Sequence, residues 1–323
     1  DEGVYRCVVS NPFGTVTSQP ATLSMVELGA GNNYYVDSVN GNDQNSGSAS
    51  SPWARCPGMA GWSGSASLQA GDTVYFNRSA TWTLGASLSA LGAGFDLVGG
   101  VRYVGNVWDP QNGTGERATL RATARHEAGN VRIWQDDELL PTELDGFVVD
   151  GNGFRSNGID INHSFWTRGL TNAVKRINNC VVFGQTGNGS QGVYKYGIIV
   201  SDHSPDASGQ VANVEIVNTT VYDVPRTAIA LYPGDNGRIS NVVVRGCTVS
   251  SPYGDPSYSA THGFTIKGDV RNSLVERCYV SDVGGAALFI NGPENGGGNG
   301  PTGIVASHNV LESTSVHGVI RAY

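Results

Sequence analysis

Two short phrases of alternating hydrophobic and polar residues recur along the second half of the chain, and both have the period of two that β-strands show. The first is a strand with apolar residues at every second position, as in Gly197-Ile-Ile-Val-Ser201 and Gly263-Phe-Thr-Ile-Lys267. The second places a small residue before further β-branched residues, as in Val244-Arg-Gly-Cys247-Thr-Val249. The phrases return roughly every 25 to 40 residues. No helical periodicity accompanies them, so the pattern predicts a repetitive all-β protein.

Repeats of this kind cannot bury both of their faces alone, so we expect them to stack as coils of a parallel β-helix, a solenoid with a continuous inner column. The small residue of the second phrase would then lie on its equivalents in neighbouring coils and form an internal ladder at a turn. These residues are Cys180, Thr219, Cys247, Cys278 and Asn309. We therefore predict that the ladder thiols are buried and unreactive rather than catalytic or metal-binding.

The composition of the chain argues against several classes of function. The 323 residues carry a formal net charge of −8, only 15% are charged, and three are lysines. A nucleic-acid partner is not expected, because phosphates need a basic patch. No apolar run reaches the length of a bilayer, so we predict no membrane span. The five cysteines show no spacing typical of metal ligands.

Residues 1–27 differ from the rest of the chain. Tyr5 lies two residues before Cys7, which is the tyrosine-corner spacing, and an alternating run to Leu23 follows. The stretch resembles the last two strands of an immunoglobulin-like domain whose other cysteine would lie upstream. The chain also lacks an initiator Met and stops in a predicted strand. We therefore expect a piece of a longer modular protein, in which other modules of the same parent chain are neighbours.

The segment before the repeats carries a resemblance to a known superfamily. Its residues are Tyr34-Tyr-Val-Asp37, Gly41-Asn-Asp-Gln-Asn-Ser-Gly47, Ala70-Gly-Asp-Thr-Val-Tyr-Phe76 and the coil phrase Leu144-Asp-Gly-Phe-Val-Val-Asp-Gly151. These motifs look like those of bacterial right-handed parallel β-helix proteins of the pectate-lyase-like superfamily, and we assign residues 28–323 to that fold. The resemblance implies a secreted or cell-surface protein that meets polysaccharides. The superfamily includes lyases, hydrolases, epimerases and adhesins, so the fold does not decide the activity.

Outward side chains of successive coils would form a row that an extended polymer could follow. If the apolar residues of the first phrase point inward, one such row is polar and partly aromatic, and turn histidines flank it. The predicted substrate-binding residues are Asn162, Ser201, His203, Tyr232, Asn291 and His317.

Lys267 is the strongest catalytic candidate, because lysine is rare in this chain and this one lies in the outward row. Its strand is similar to the lysine-bearing strand of alginate-lyase and chondroitinase-type members of the superfamily. The resemblance implies a base that abstracts the C5 proton of a uronic acid. Arg321, about two coils further on, and His262, at the start of the same strand, would assist. The alternative is an exposed strand lysine that serves solubility.

Paired carboxylates offer a second chemistry. Asp202 and Asp235 follow equivalent strands one coil apart, as the two carboxyl groups of a glycoside hydrolase require. Aspartate at a turn is also ordinary turn chemistry. With Asn236, the two could supply oxygen ligands to calcium, although no strong metal-binding motif is present. We favour a lyase acting on a uronic-acid polymer over a hydrolase, and a non-catalytic adhesin or glycan-binding module is the alternative.

Overall fold

The computed structural model describes thirteen stretches of the chain. These are residues 3–23, 31–85, 94–124, 129–134, 140–154, 157–163, 173–185, 196–202, 210–234, 237–251, 261–292, 299–312 and 319–322. Two compact units are present, Asp1–Ala30 and Gly31–Tyr323. No helix in the described stretches is long and apolar enough to cross a lipid bilayer.

The first unit contains two antiparallel strand pairs. Its strands are β1 (Gly3–Tyr5), β2 (Val8–Asn11), β3 (Gly14–Thr17) and β4 (Ala21–Leu23). Strand β1 pairs with β4, and β2 forms a hairpin with β3. Cys7 lies between β1 and β2 as an exposed free thiol. The immunoglobulin-like interpretation of this segment stays a prediction.

The second unit consists of short strands that follow one another around successive coils. They are β5 (Asn33–Val36), β6 (Thr73–Phe76), β7 (Thr81–Leu84), β8 (Phe95–Leu97), β9 (Arg102–Val104), β10 (Thr119–Ala122), β11 (Gly129–Trp134), β12 (Thr142–Asp145), β13 (Val148–Asp150), β14 (Asn157–His163), β15 (Lys175–Asn178), β16 (Val181–Phe183), β17 (Tyr196–Asp202), β18 (Val211–Val217), β19 (Thr220–Tyr222), β20 (Thr227–Leu231), β21 (Ile239–Arg245), β22 (Thr248–Ser251), β23 (His262–Lys267), β24 (Val270–Arg271), β25 (Leu274–Glu276), β26 (Tyr279–Val283), β27 (Leu288–Asn291), β28 (Val305–Ser307), β29 (Val310–Leu311) and β30 (Ile320–Ala322).

These strands build three long parallel sheets. Sheet 1 runs β5-β6-β9-β12-β15-β18-β21-β25-β28, with β24 paired to β21. Sheet 2 runs β7-β10-β13-β16-β19-β22-β26-β29, and sheet 3 runs β8-β11-β14-β17-β20-β23-β27-β30. Each coil of the described chain passes from sheet 1 to sheet 2 to sheet 3, and the next coil pairs with it in parallel. The fold is a parallel β-helix, as the repeats predicted.

The inner column is apolar because inward positions alternate with outward ones along each strand. In sheet 3 all eight residues that the sequence predicts to face inward belong to the main hydrophobic core. They are Ile159, Ile161, Ile198, Val200, Ile229, Leu231, Phe264 and Ile266. Their burial confirms the register on which the outward row of candidate residues depends.

The predicted ladder lies at the turn between sheet 1 and sheet 2. One residue in the left-handed region precedes each ladder position, with φ between 49° and 63°, and Asn or Gly is favoured there. These turn residues are Asn179, Asn218, Gly246, Arg277 and His308. The Cys180 amide donates to Thr219 Oγ1 at 3.3 Å, and the Cys278 amide donates to Asn309 Oδ1 at 2.9 Å. The ladder therefore satisfies the backbone of one coil with a side chain of the next.

Strands of sheet 3 begin with a bend that matters for the site. A Cβ added at Gly197 or Gly263 would lie 2.3 or 2.6 Å from Cγ1 of a core valine in sheet 2. These positions therefore face inward and need a small residue. The residue after each glycine, Ile198 or Phe264, also faces the core, so two successive residues point inward. The residue before each glycine, Tyr196 or His262, therefore points outward.

Candidate functional site

A pocket of about 320 Å³ lies on the outer face of sheet 3, across β17, β20, β23, β27 and β30. Side chains from all five of these strands or their immediate flanks reach it. The lining residues are Tyr196, Arg226, Thr227, Tyr232, His262, Thr265, Lys267, Phe289, Asn291 and Arg321. Half of them belong to the residues that the sequence singled out.

The pocket is built from three outward rows that cross the strands. Tyr196, Thr227 and His262 pair in the first row, immediately before the bend. The second row runs Ile199, Ala230, Thr265, Phe289 and Arg321. In the third row Tyr232 is followed by Lys267, which pairs with Asn291. Parallel stacking therefore gathers residues that are more than 100 positions apart in the sequence.

Lys267 ends β23 and is only 8% exposed. Its Nζ lies 5.0 Å from the centroid of the Tyr232 ring, within the range of a cation–π interaction. Gly268 follows in the left-handed region, at φ 77°, and its amide donates to the Asn291 carbonyl at 3.1 Å. The turn thus ends the strand directly after the lysine and keeps the amine in the third row.

His262 begins the same strand and is 5% exposed. Its ring stacks on Phe289, with centroids 4.4 Å apart and an interplanar angle of 8°. Its Nδ1 accepts a hydrogen bond from the Ala286 amide at 2.9 Å. The imidazole therefore has a fixed orientation at the floor of the pocket.

The opposite end of the pocket is formed by Arg226 and Tyr196. The Arg226 guanidinium carbon lies 5.5 Å from the centroid of the Tyr196 ring. Between this end and Lys267, the hydroxyls of Thr227 and Thr265 are 3.1 Å apart. This end and the two threonines beside it supply a cation, an aromatic face and two hydroxyl groups, which together can hold a polar ring and an acidic group.

The charged side chains in the described lining of the pocket are all basic, although the protein as a whole is acidic. Arg226, Lys267 and Arg321 line it, and its described lining contains no Asp or Glu. A concave site with charges of one sign concentrates ligands of the opposite sign. The arrangement suits an anionic ligand, and it also offers groups that can act as a base and as hydrogen-bond donors.

Five predicted residues come together here: Lys267, Arg321, His262, Tyr232 and Asn291. Arg321 lies two strands from Lys267, as expected, but it stands in the second row rather than in the row of Lys267. The structure thus gathers the candidate base, both candidate assistants and two candidate binding residues.

Three other predicted residues lie apart from this pocket. Asn162 and Ser201 occupy the third row on β14 and β17, outside the lining. Ser201 is buried, and its hydroxyl lies 3.4 Å from an Asp160 oxygen. Asp202 is fully buried, and its carboxylate accepts a hydrogen bond from the Arg238 amide at 2.8 Å. Asp202 therefore has a turn-stabilising contact and is not among the lining residues.

The remaining candidates lie outside the described residues. They are Asp235, Asn236, His203 and His317. The described stretches contain no group of three or more His, Cys, Asp and Glu side chains that could hold a metal ion.

Sequence reasoning missed Tyr196, Arg226, Thr227 and Phe289 as site residues. Strict alternation back from Phe264 would turn the residue before Gly263 inward, whereas the bend turns it outward. The signal was a Gly or Ala at the second position of β14, β17, β20 and β23, a small residue that marks two successive inward positions. Phe289 pairs with Thr265 in the second row.

No protein-family model and no curated protein sequence matches the chain. Solved structures do match. Two are of a GH136 lacto-N-biosidase from Eubacterium ramulus. The selenomethionine derivative has 14% identity and a TM-score of 0.53, covering 90% of this chain and 57% of that one. The native protein has 12% identity and a TM-score of 0.54, covering 86% and 55%. The chain thus spans somewhat more than half the length of these structures. At this identity the likeness shows the fold alone.

Proposed function

We propose that this β-helix protein acts on an acidic polysaccharide, and that it cleaves a uronic-acid polymer by β-elimination with Lys267 as the base. The observation that carries the proposal is the pocket on sheet 3, which combines a nearly buried lysine with two arginines and contains no carboxylate among its described lining residues. A cationic pocket of this kind favours a sugar that bears an acid group.

In the proposed reaction the Lys267 ammonium group first gives its proton to water, and the resulting amine takes the C5 proton of the uronic acid. The electron pair of that C–H bond forms the C4–C5 double bond, and the C4–O4 glycosidic bond breaks. The departing O4 oxygen takes up a proton from water. Arg321 and His262 stabilise the charge that the sugar carboxylate gains as the C5 proton leaves.

Hydrolysis receives less support from the described residues. A glycoside hydrolase needs two carboxyl groups about 5 to 9.5 Å apart at the bond that it cleaves. The described lining of the pocket supplies none, and the Asp202 carboxylate is engaged with the Arg238 amide.

A glycan-binding module is the second candidate, because three aromatic rings line the same pocket. Tyr196, Tyr232 and Phe289 offer apolar surface against which a sugar ring can pack. Binding without cleavage needs no base, so the effect of replacing Lys267 on cleavage separates the two proposals.

The test incubates the full chain with pectate, alginate, hyaluronan and a neutral glycan, and follows absorbance near 232 nm together with new reducing ends. We expect the unsaturated-uronate absorbance to rise with at least one acidic polymer. Lys267→Gln should lower the rate by about 100-fold or more, the scale of general-base catalysis. Arg245→Gln, on the outer face of sheet 1, is the matched control and should behave like wild type.

Other outcomes contradict elimination by Lys267. Reducing ends without the absorbance would assign hydrolysis. Absorbance that persists in Lys267→Gln would assign another base. If neither assay detects a product but the protein still binds the acidic polymer, the glycan-binding module is favoured.

A further inference from the structure

A second aromatic feature lies on the outer face of sheet 2, which is a different face of the β-helix from the pocket. Val182 and Val221 belong to the hydrophobic core, so the residues that follow them, Phe183 and Tyr222, point outward. Strand pairing places the two rings side by side in one row, with charged residues on one side and serines on the other. In strand order the row contains Arg121, Asp150, Phe183, Tyr222, Ser250 and Ser281.

The rings of Phe183 and Tyr222 form a stacked and partly exposed pair. Their centroids are 4.9 Å apart, and their planes are nearly parallel, with an angle of 3° between them. On the side of Tyr222 away from Phe183, the next residues of the row are Ser250 and Ser281, which are too small to cover the ring. The outer face of the Tyr222 ring can therefore pack against the apolar face of a sugar, with serine hydroxyls beside it.

Asp223 places a carboxylate beside the pair. It follows Tyr222 at the turn towards sheet 3 and lies in the left-handed region, at φ 55°. Its Oδ1 atom is buried and has no hydrogen-bond partner among the described residues. A buried acceptor without a donor costs about 1–3 kcal/mol. A ligand that donates a hydrogen bond to this oxygen would remove that cost.

Two carboxylates lie close to the pair and limit the ligands that it can take. Asp150 lies in the same row and accepts a hydrogen bond from Arg121 Nε at 2.7 Å. Burial raises the pKa of the Tyr222 phenol, and so do the nearby carboxylates of Asp150 and Asp223. Like charges repel, so these groups disfavour a sugar that bears an acid group. The hydroxyl groups of an uncharged sugar can donate to them instead.

We propose that Phe183, Tyr222 and Asp223 form a second carbohydrate-binding site, which takes an uncharged sugar chain. A sugar ring packs on Tyr222, one of its hydroxyl groups donates to Asp223 Oδ1, and Ser250 bonds a neighbouring hydroxyl group. The proposal does not depend on the activity of the pocket on sheet 3, because it uses other residues and a ligand of different charge.

The test measures binding of the full chain to hydroxyethylcellulose, arabinoxylan and galactan by affinity electrophoresis, with pectate and chitosan as charged polymers. We expect at least one uncharged polymer to bind the wild type. Tyr222→Ala and Asp223→Gly should each raise the dissociation constant about 10-fold. Glycine suits residue 223 because Gly184 occupies the same turn in the preceding coil, at φ 76°, so this variant removes the carboxylate without straining the backbone.

Tyr75→Ala is the matched control. Tyr75 stacks on Tyr35 on the outer face of sheet 1, with ring centroids 5.4 Å apart, so it belongs to a comparable pair. We expect Tyr75→Ala to bind the uncharged polymer like wild type. Pectate should bind equally well to the wild type, Tyr222→Ala and Asp223→Gly. Thermal unfolding checks that each variant is folded, and Asp223→Gly decides the proposal if Tyr222→Ala is not.

Several outcomes would overturn the proposal. One is a wild type that binds no uncharged polymer, and another is an affinity that Asp223→Gly leaves unchanged or that Tyr75→Ala lowers equally. Binding of chitosan alone would show that the carboxylates select a cation rather than an uncharged sugar. A parallel loss of pectate binding in Tyr222→Ala or Asp223→Gly would assign the pair to the pocket on sheet 3.

Discussion

The three cations in the described lining of the pocket stand on or directly before different strands of sheet 3. Arg226 precedes β20, Lys267 ends β23 and Arg321 lies on β30. Neighbouring strands are about 4.8 Å apart, so Arg226 and Arg321 are separated by roughly three such spacings. An extended polymer that crosses the strands would meet them at different sugar units. Arg226 therefore fits the acid group of a neighbouring sugar rather than the one that reacts.

This position predicts the effect of replacing Arg226. We expect Arg226→Gln to raise KM for an acidic polymer by about 10-fold, the equivalent of 1.4 kcal/mol of binding, while kcat changes less. Steady-state kinetics on polymer and on short oligomers measure both parameters. Arg245→Gln, at a salt-bridged position on sheet 1, is the matched control. A loss confined to kcat would mean that Arg226 acts on the reacting sugar instead.

At the scale of single residues, the sequence pointed to Lys267, His262, Tyr232, Asn291 and Arg321 through their place on outward positions. The sequence could not predict that Tyr196 and Thr227 of the first row face outward, because the bend at the start of these strands interrupts the strict alternation of inward and outward residues. It also assigned chemistry to Asp202. The structure instead shows that carboxylate bonded to a backbone amide.

Among the elements, β23 and the turn after it are the most important for the site. Asp269 follows Gly268 and bonds both Arg238, at 3.1 Å, and Arg271, at 2.6 Å. It thereby ties the end of β23 to the approach to β21 and to β24. Burial alone would raise the pKa of Asp269, but the hydrogen bonds from the two arginines outweigh it and lower the pKa below its ordinary value.

A lowered carboxyl pKa in the folded state stabilises the fold above the unfolded value, and that stabilisation is lost as pH falls through the folded pKa. We therefore expect Asp269→Asn to lower the free energy of unfolding at pH 7 by about 1 kcal/mol, because its arginine partners are partly exposed. The deficit should shrink as the pH falls below the ordinary aspartate value of 3.8, because the carboxyl group of the folded protein then takes up its proton. Urea denaturation at pH 7 and at a series of acidic pH values measures it. A deficit that is absent at pH 7, or that grows in acid, would contradict this role.

The ladder between sheet 1 and sheet 2 is an element that the sequence predicted well. Equivalent positions recur in each coil because each turn needs one left-handed residue and one small side chain that can bond the next coil. Burial raises the pKa of the Cys180 thiol to about 12, and burial raises the pKa of Cys56 well above its usual value.

Cys56, Cys180, Cys247 and Cys278 are each exposed by 2% or less, so reagents cannot reach these thiols and they should be inert in the native protein. We expect iodoacetamide at pH 8 to add one group, at the exposed Cys7, and five after denaturation. Intact-mass spectrometry counts the adducts, and a Cys7→Ser variant should give none in the native state. A second native adduct would show that a ladder or core thiol is accessible.

For the molecule as a whole, parallel stacking turns a loose sequence repeat into rows of side chains with a fixed spacing. The fold could be predicted from the two repeated sequence phrases, because the period of two and the small ladder residues recur from coil to coil. The site was only half predictable, because it depends on bends within the coils and on residues such as Phe289 from the less regular ones. The acidic net charge gave no sign of the basic pocket, since the three cations come from distant parts of the sequence.

The most direct test of the account is a crystal structure of Lys267→Gln with an acidic oligosaccharide, chosen from the polymers that the full chain cleaves or binds. We expect the sugars to lie across β20, β23, β27 and β30, with one acid group against Arg321 and His262 and with C5 of that sugar facing residue 267. A second acid group should lie against Arg226. An oligosaccharide bound on another face, with this pocket empty, would contradict the account.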